Sequence, residues 1–211
     1  MKIKWLSEFD GQVGLAVEPD DYDGTPQISH LWMDRGPKSR HWDREAVATG
    51  LVFGRYFGGE ITMPHKFSPA VATGLRRMAG PVPINVGPVE YYPKGLPEGE
   101  RRLHLLVDEP VPEELMEPKD QSACYLQILR SDRANGSIRR VNGLSVASNA
   151  WLHAEPKNTS GLLPFIALAC LFAEDLEAGT IVLPPNSAGG PEEWHEVRQI
   201  LATARLGLEV A

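Results

Sequence analysis

Residues 46–51 read AVATGL, and residues 70–75 read AVATGL again. The residues that follow the two copies do not match, so close packing explains the repeat better than duplication of a unit does. A glycine inside a helix costs about 1 kcal/mol relative to alanine, and Gly50 and Gly74 therefore need compensation. Residues four positions apart share one helix face, where small side chains let a neighbour approach. We predict that the faces carrying these glycines pack on each other or on a sheet.

The residues just before each copy favour the start of a helix. Asp43 can accept a hydrogen bond from a free amide at a helix N-terminus, and it precedes a helix predicted over 44–57. Ser68 followed by Pro69 is a strong pair for an N-cap and first helical position, and it begins a second helix that ends before Gly80. Short apolar runs after each helix predict strands, which gives the order helix, strand, helix, strand.

The middle of the chain reads as an antiparallel meander. Residues 125–130 and 137–141 alternate or are rich in β-formers, and they flank Asn135-Gly136, a pair that favours two-residue hairpin turns. A hairpin around this turn places Asp132 opposite Arg139, where the two side chains can form a cross-strand ion pair.

These elements together predict an α+β fold: a mixed sheet with a central antiparallel meander and about four main helices. Helices predicted after Ser160 and from Pro191, each followed by a short strand, repeat the order of the first helices. The order is compatible with two similar αβαβ lobes that share one sheet. Residues 1–211 are expected to form a single compact domain, with an exposed internal connection near 109–121, where Pro and Glu are frequent.

Composition narrows the class of protein. A formal net charge of −7 disfavours broad nucleic-acid binding, which depends on neutralising phosphates. Only two cysteines occur, Cys124 and Cys170, without the spacing of a zinc ribbon or a disulfide scaffold. The N-terminus has no apolar signal segment, and the longest apolar stretch, residues 162–173, is too short to cross a bilayer. We expect a soluble cytoplasmic protein, and the Arg, Ala, Gly and Pro bias is typical of a GC-rich bacterial coding sequence.

The first candidate site is the segment before the second helix. His65 and Lys66 precede a helix N-terminus, where free amides and the helix dipole favour an anion. His65 could act as an acid or a base, while Lys66 and Ser68 hold a carboxylate, phosphate or sulfate. The alternative is an exposed loop before a well-capped helix.

The second candidate site is a dense group of titratable side chains before the first helix. Asp43 or Glu45 would be the acid/base partner, and Arg40, His41 and Arg44 would bind the ligand. Helix capping by Asp43 and the dipole effect on Glu45 explain those residues equally well. Grouping His41 and Asp43 with the distant His30 around a metal matches no known ligand spacing, so we expect neither a metal nor another cofactor.

The third candidate site is the set of arginines around the Asn-Gly turn. Arg139 and Arg140 could bind an anionic ligand, because the guanidinium group suits carboxylates and phosphates. A solvated strand face is the alternative explanation of these charges.

Two classes of function are compatible with these residues. One is a cytosolic enzyme or enzyme subunit that acts on a small anionic metabolite by proton transfer, elimination or group transfer, without metal or nucleotide cofactor. The other is a non-catalytic binding or assembly protein that pairs with another protein or with a second copy of itself. Exposed aromatic residues in irregular segments (Trp42, Tyr91 and Tyr92) would then anchor the interface.

Overall fold

A computed structural model describes residues 1–9, 11–117, 121–154, 159–185, 187 and 191–210. The strands are β1 (Lys2–Phe9), β2 (Gln12–Glu18), β3 (His30–Met33), β4 (Glu60–Phe67), β5 (Asn85–Val89), β6 (Arg101–Val107), β7 (Ala123–Arg130), β8 (Ile138–Arg140), β9 (Gly143–Ser148), β10 (Ala178–Leu183) and β11 (Gly207–Val210). The helices are α1 (Trp42–Phe53), α2 (Pro69–Met78), α3 (Glu113–Met116), α4 (Leu163–Phe172) and α5 (Pro191–Thr203). No helix in these described ranges is long and apolar enough to cross a membrane.

All the strands belong to one mixed sheet, in the order β11-β10-β6-β7-β9-β3-β2-β1-β4-β5, with β8 paired beside β9. The strands β1, β2 and β3 form an antiparallel meander at the centre of this order, and parallel pairs lie on both sides. The predicted α+β class with a mixed sheet is therefore confirmed, whereas the antiparallel meander is formed by β1, β2 and β3 and not by the middle of the chain, where it was predicted.

The sheet contains two halves with the same neighbour order. β3-β2-β1-β4-β5 corresponds to β9-β7-β6-β10-β11, with α1 and α2 matching α4 and α5 in chain position. The halves meet where β3 pairs antiparallel with β9. They differ in the second strand, since β2 is antiparallel to β1 whereas β7 is parallel to β6. This topology agrees with two similar αβαβ lobes in one sheet, but α1 and α2 belong to the same half. The repeated hexapeptide thus marks different positions of one lobe.

The predicted hairpin around Asn135-Gly136 is wrong. β7 pairs with β9 in parallel, and β8 pairs with β9 instead of β7, with Arg139 opposite Leu144. Asp132 binds Arg130 at 2.8 Å rather than Arg139. The reason is that β7 is an interior strand with β6 and β9 on its two sides, so no edge is free for β8. Local turn chemistry indicates a turn but does not choose the partner strand.

The four long helices form a layer that buries one face of the sheet. The largest core cluster includes apolar residues from α1, α2, α4 and α5 and from both halves of the sheet. α3 packs on the opposite face, where Leu115 contacts a separate cluster with Leu106 and Tyr125. The predicted exposed connection at 109–121 therefore contains a partly buried helix, and residues 118–120 lie outside the described part. The single-domain interpretation stays a prediction.

The small-residue face of α1 packs on α2 as predicted, whereas that of α2 packs on α5, a partner that was not predicted. A side chain at Gly50 would overlap Leu75 of α2, and one at Gly54 would contact Met78. A side chain at Gly74 would overlap Ile200 of α5. The two glycines of the hexapeptide therefore permit two successive helix contacts, α1 with α2 and α2 with α5.

Two predicted helix starts need comment. Pro191 begins α5 as expected, whereas α4 begins at Leu163, after a 3₁₀ turn over Thr159–Leu162. The side chain of Ser160, the predicted cap, lies outside the described part of the chain.

Candidate functional site

One edge of the first half gathers the starts of two helices and the ends of several strands. β1, β4 and β5 run parallel; α1 follows β3 after the connection 34–41, and α2 begins just after the end of β4. Both helices therefore point their positive ends toward the edge at which β1, β3, β4 and β5 end. We call this edge the strand-end edge. In α/β arrangements of this kind, ligands bind outside the carboxyl ends of parallel strands.

A buried carboxylate is the centre of this edge. The side chain of Glu45, in the first turn of α1, is only 2% exposed. Its Oε1 lies 2.8 Å from Nδ1 of His65, and its Oε2 lies 2.5 Å from Nε of Arg40. A buried charge is costly unless it is paired, and here two partners face the two oxygens. Glu45 thus joins α1, the end of β4 and the segment before α1.

His65 has a fixed orientation and a partly open ring. It lies near the end of β4, its ring stacks on Trp42 at 5.5 Å with an interplanar angle of 4°, and its side chain is 33% exposed. An ionised Glu45 accepts a hydrogen bond, so Nδ1 of His65 carries the proton that is donated to it. When the ring is neutral, Nε2 is then the acceptor. That arrangement leaves Nε2 able to take a proton from another molecule.

Arg40 is held on the other side of Glu45. Its guanidinium carbon lies 3.7 Å above the ring centre of Trp5 in β1, which is a cation–π contact. The side chain is 22% exposed, so the guanidinium group is partly open while its position is fixed by Trp5 and Glu45.

Three other predicted site residues connect the two helix starts. The cap of α1 is His41, whose Nδ1 accepts a hydrogen bond from the Asp43 amide at 3.2 Å. The buried Asp43 instead accepts from the Ser68 amide at 2.7 Å, and Ser68 caps α2 by accepting from Val71 at 3.4 Å. The prediction that Asp43 caps α1 is wrong, since its carboxylate joins the two helices.

Two predicted cationic residues are placed differently from expectation. Arg44 lies fully buried in the core, donates to the carbonyl of Pro97 at 2.9 Å, and has its pKa lowered by burial. It is a core residue and not part of an accessible site. Lys66 lies in β4 rather than in a loop before α2, is exposed, and approaches Glu90 at 3.9 Å.

The two arginines of β8 diverge. Arg139 donates to the carbonyl of Asp175 at 2.9 Å, and the Asp175 carboxylate accepts from the amides of Lys38 and Ser39. Arg139 therefore lies beside the segment that leads into α1. Arg140 is exposed, and its charge opposes the rise in the pKa of Tyr125 that burial causes.

A pocket of about 650 Å³ opens beside Arg40. Its polar and aromatic lining residues are Trp5, Ser7, Asp34, Arg35, Arg40 and Ser137. Burial raises the pKa of Asp34, against the effect of nearby amides of Ala147 and Gly136 and the charge of Arg35. Arg40 was predicted to bind a ligand, but its partners in this lining were not, because no short motif connects strands β1 and β3 with residue 137.

Among the described residues, no group of three or more His, Cys, Asp or Glu side chains is arranged to hold a metal ion. The thiols of Cys124 and Cys170 are buried, and burial raises their pKa values to about 11 and about 12. Neither thiol is a ready nucleophile at neutral pH.

Comparison with known proteins gives no assignment: no protein-family model matches the chain, and no curated protein or solved structure matches it at a significant level.

Proposed function

We propose that the protein is an enzyme that acts on a small anionic metabolite by a step that includes proton transfer, and that His65 exchanges the proton. The observation that carries this proposal is the contact between the buried Glu45 carboxylate and Nδ1 of the partly exposed His65 ring. A carboxylate on one ring nitrogen fixes the tautomer and orientation of a histidine that uses its other nitrogen as a base.

The charges at the strand-end edge support an anionic substrate. The positive ends of α1 and α2 point to this edge. Two cations lie there as well: Lys66 follows His65 in the chain, and Arg40 contacts the second oxygen of Glu45. Glu45 has the role of a positioning residue for His65, in place of a direct acid/base partner. Asp43 was the other candidate for an acid/base partner. Its carboxylate accepts from the Ser68 amide, so it positions the start of α2.

We expect the variant His65→Gln to lose activity. The purified protein would be incubated in D₂O with a defined mixture of organic acids and sugar phosphates, and mass spectrometry would follow consumption or deuterium labelling of each component. General acid–base catalysis contributes about 10²- to 10⁴-fold, so His65→Gln should react at least about 100-fold more slowly than the wild type. His195→Gln, at an exposed position of α5, is the matched control and should keep the wild-type rate.

An equal rate for His65→Gln and the wild type would contradict the proposal. Glu45→Gln keeps an oxygen acceptor but loses the charge, and it should give an intermediate rate.

A second candidate is a non-catalytic assembly protein, and one observation favours it. Tyr91 and Tyr92 follow β5 directly and are 75% and 91% exposed, while Trp42 is also exposed at the same edge. Large aromatic side chains of this kind are common anchors of protein interfaces. Native mass spectrometry of the protein from its own host separates the candidates: a co-purifying protein that is lost in Tyr91→Ser/Tyr92→Ser supports the assembly function.

A further inference from the structure

The pocket beside Arg40 brings together residues from distant parts of the chain. Trp5 and Ser7 come from β1, Asp34 and Arg35 from the residues after β3, and Ser137 from the residue before β8. Its volume of about 650 Å³ lies within the range of pockets that hold metabolite-sized ligands.

Two arginines, Arg35 and Arg40, line this pocket, and the guanidinium group is suited to bind an anion. Arg40 is fixed by the Trp5 ring and by Glu45, whose Oε2 pairs with its Nε. Arg35 makes no hydrogen bond or ion pair with another residue in the described part of the chain. A guanidinium group that is already ordered loses less entropy when it binds a carboxylate or phosphate.

Asp34 is the acidic residue of the lining that opposes anion binding. One of its oxygens accepts from the amide of Ala147 at 3.0 Å, which anchors the end of β3 to β9. Its burial favours the neutral form, since burial raises its pKa. Ser7 and Ser137 add hydroxyl groups that can donate to an oxyanion.

We infer that this pocket holds the oxyanion group of a small organic acid or phosphate ester, bound by Arg35 and Arg40 and assisted by Ser7 and Ser137. The statement that the bound molecule is the substrate rests on the proposed function. Binding itself does not require His65, which is not among the lining residues and contacts the other oxygen of the Glu45 carboxylate.

The test is a titration of the ¹⁵N-labelled full chain with succinate and, separately, with inorganic phosphate. We expect shifts of the Arg35 and Arg40 side-chain signals, the Trp5 indole signal and the amides of 34–36 and 38–40 at probe concentrations of about 20 mM or below. The probe that binds more tightly identifies the oxyanion as a carboxylate or a phosphate. Shifts confined to other regions, or no shift with either probe, would overturn the inference.

Two substitutions should change the affinity in opposite directions. Arg35→Gln should weaken binding about tenfold or more, because one charged donor is lost. Asp34→Asn keeps an oxygen for the Ala147 amide but removes the negative charge, so it should tighten binding severalfold. Arg133→Gln, which removes a partner of Asp108 on another part of the surface, is the control and should leave affinity unchanged. Equal affinities in Arg35→Gln, Asp34→Asn and the wild type would overturn the inference.

The same titration of His65→Gln separates the two proposals. Wild-type affinity in His65→Gln is expected, and it would keep the pocket assignment valid even if no metabolite is turned over. Loss of probe binding in His65→Gln would overturn the assignment of the pocket to Arg35 and Arg40.

Discussion

Replacing Glu45 with alanine should lower the free energy of unfolding by about 3 kcal/mol, because the substitution leaves Arg40 and His65 without their shared partner. The expected loss is at the lower end of values for buried ion pairs, since both partners are partly exposed and water can solvate them. The Glu45 side chain itself is almost fully buried, so its removal also leaves a void between α1 and β4. Urea unfolding followed by circular dichroism measures the change.

Two controls separate charge from shape. Glu45→Gln keeps the volume and one acceptor, and we expect it to be more stable than Glu45→Ala. Glu90→Ala removes a carboxylate whose pair with Lys66 is long and exposed, and it should cost less than about 1 kcal/mol. If Glu45→Ala is as stable as Glu90→Ala, the buried carboxylate does not hold the edge together.

Replacing Gly50 with leucine should lower the free energy of unfolding by at least about 3 kcal/mol. A Cβ atom at this position already overlaps Leu75 of α2, and the rest of a leucine side chain cannot be placed without separating the two helices. The interior is close-packed, so the displaced atoms have no vacant space to enter. Thermal and urea unfolding measure the change, and Gly95→Leu, at a position with no neighbouring atom within 4 Å, is the matched control.

A compensating substitution makes this test specific. Leu75→Ala alone removes a buried side chain and should cost about 2–5 kcal/mol. Because it also vacates the space that a leucine at 50 needs, the double variant should be more stable than the sum of the single losses predicts by at least about 1 kcal/mol. Strict additivity would show that Gly50 and Leu75 do not meet.

Elements with strong local signals could be predicted from the sequence. Ser68-Pro69 begins α2, and Pro191 begins α5. β4 extends beyond the short apolar run that predicted a strand after the first helix, because Pro64 and the polar residues after it interrupt the apolar pattern without ending the strand. The strand continues to Phe67 because β5 supplies a partner there, with Val89 opposite Phe67. That partner is set by tertiary structure and leaves no local pattern.

The candidate site was predicted residue by residue, but not as an arrangement. His65, Glu45 and Arg40 were each selected for their chemistry, and only the packing of α1 over β4 brings them together. The interior position of Arg44 had no signal, because a charged residue in a dense polar segment reads as exposed. The role of Trp5 could not be predicted either, since its contact with Arg40 joins residues far apart in the chain.

We propose that Glu45 orients His65 so that Nε2 is open to a substrate. A long-range ¹H–¹⁵N correlation spectrum of the histidine side chains, recorded at a pH where the His65 ring is neutral, reports which nitrogen carries the proton. We expect a protonated Nδ1 and an unprotonated Nε2 in the wild type, with the preference weakened in Glu45→Gln. A His65 ring that is protonated on Nε2, or a tautomer unchanged by Glu45→Ala, would contradict it.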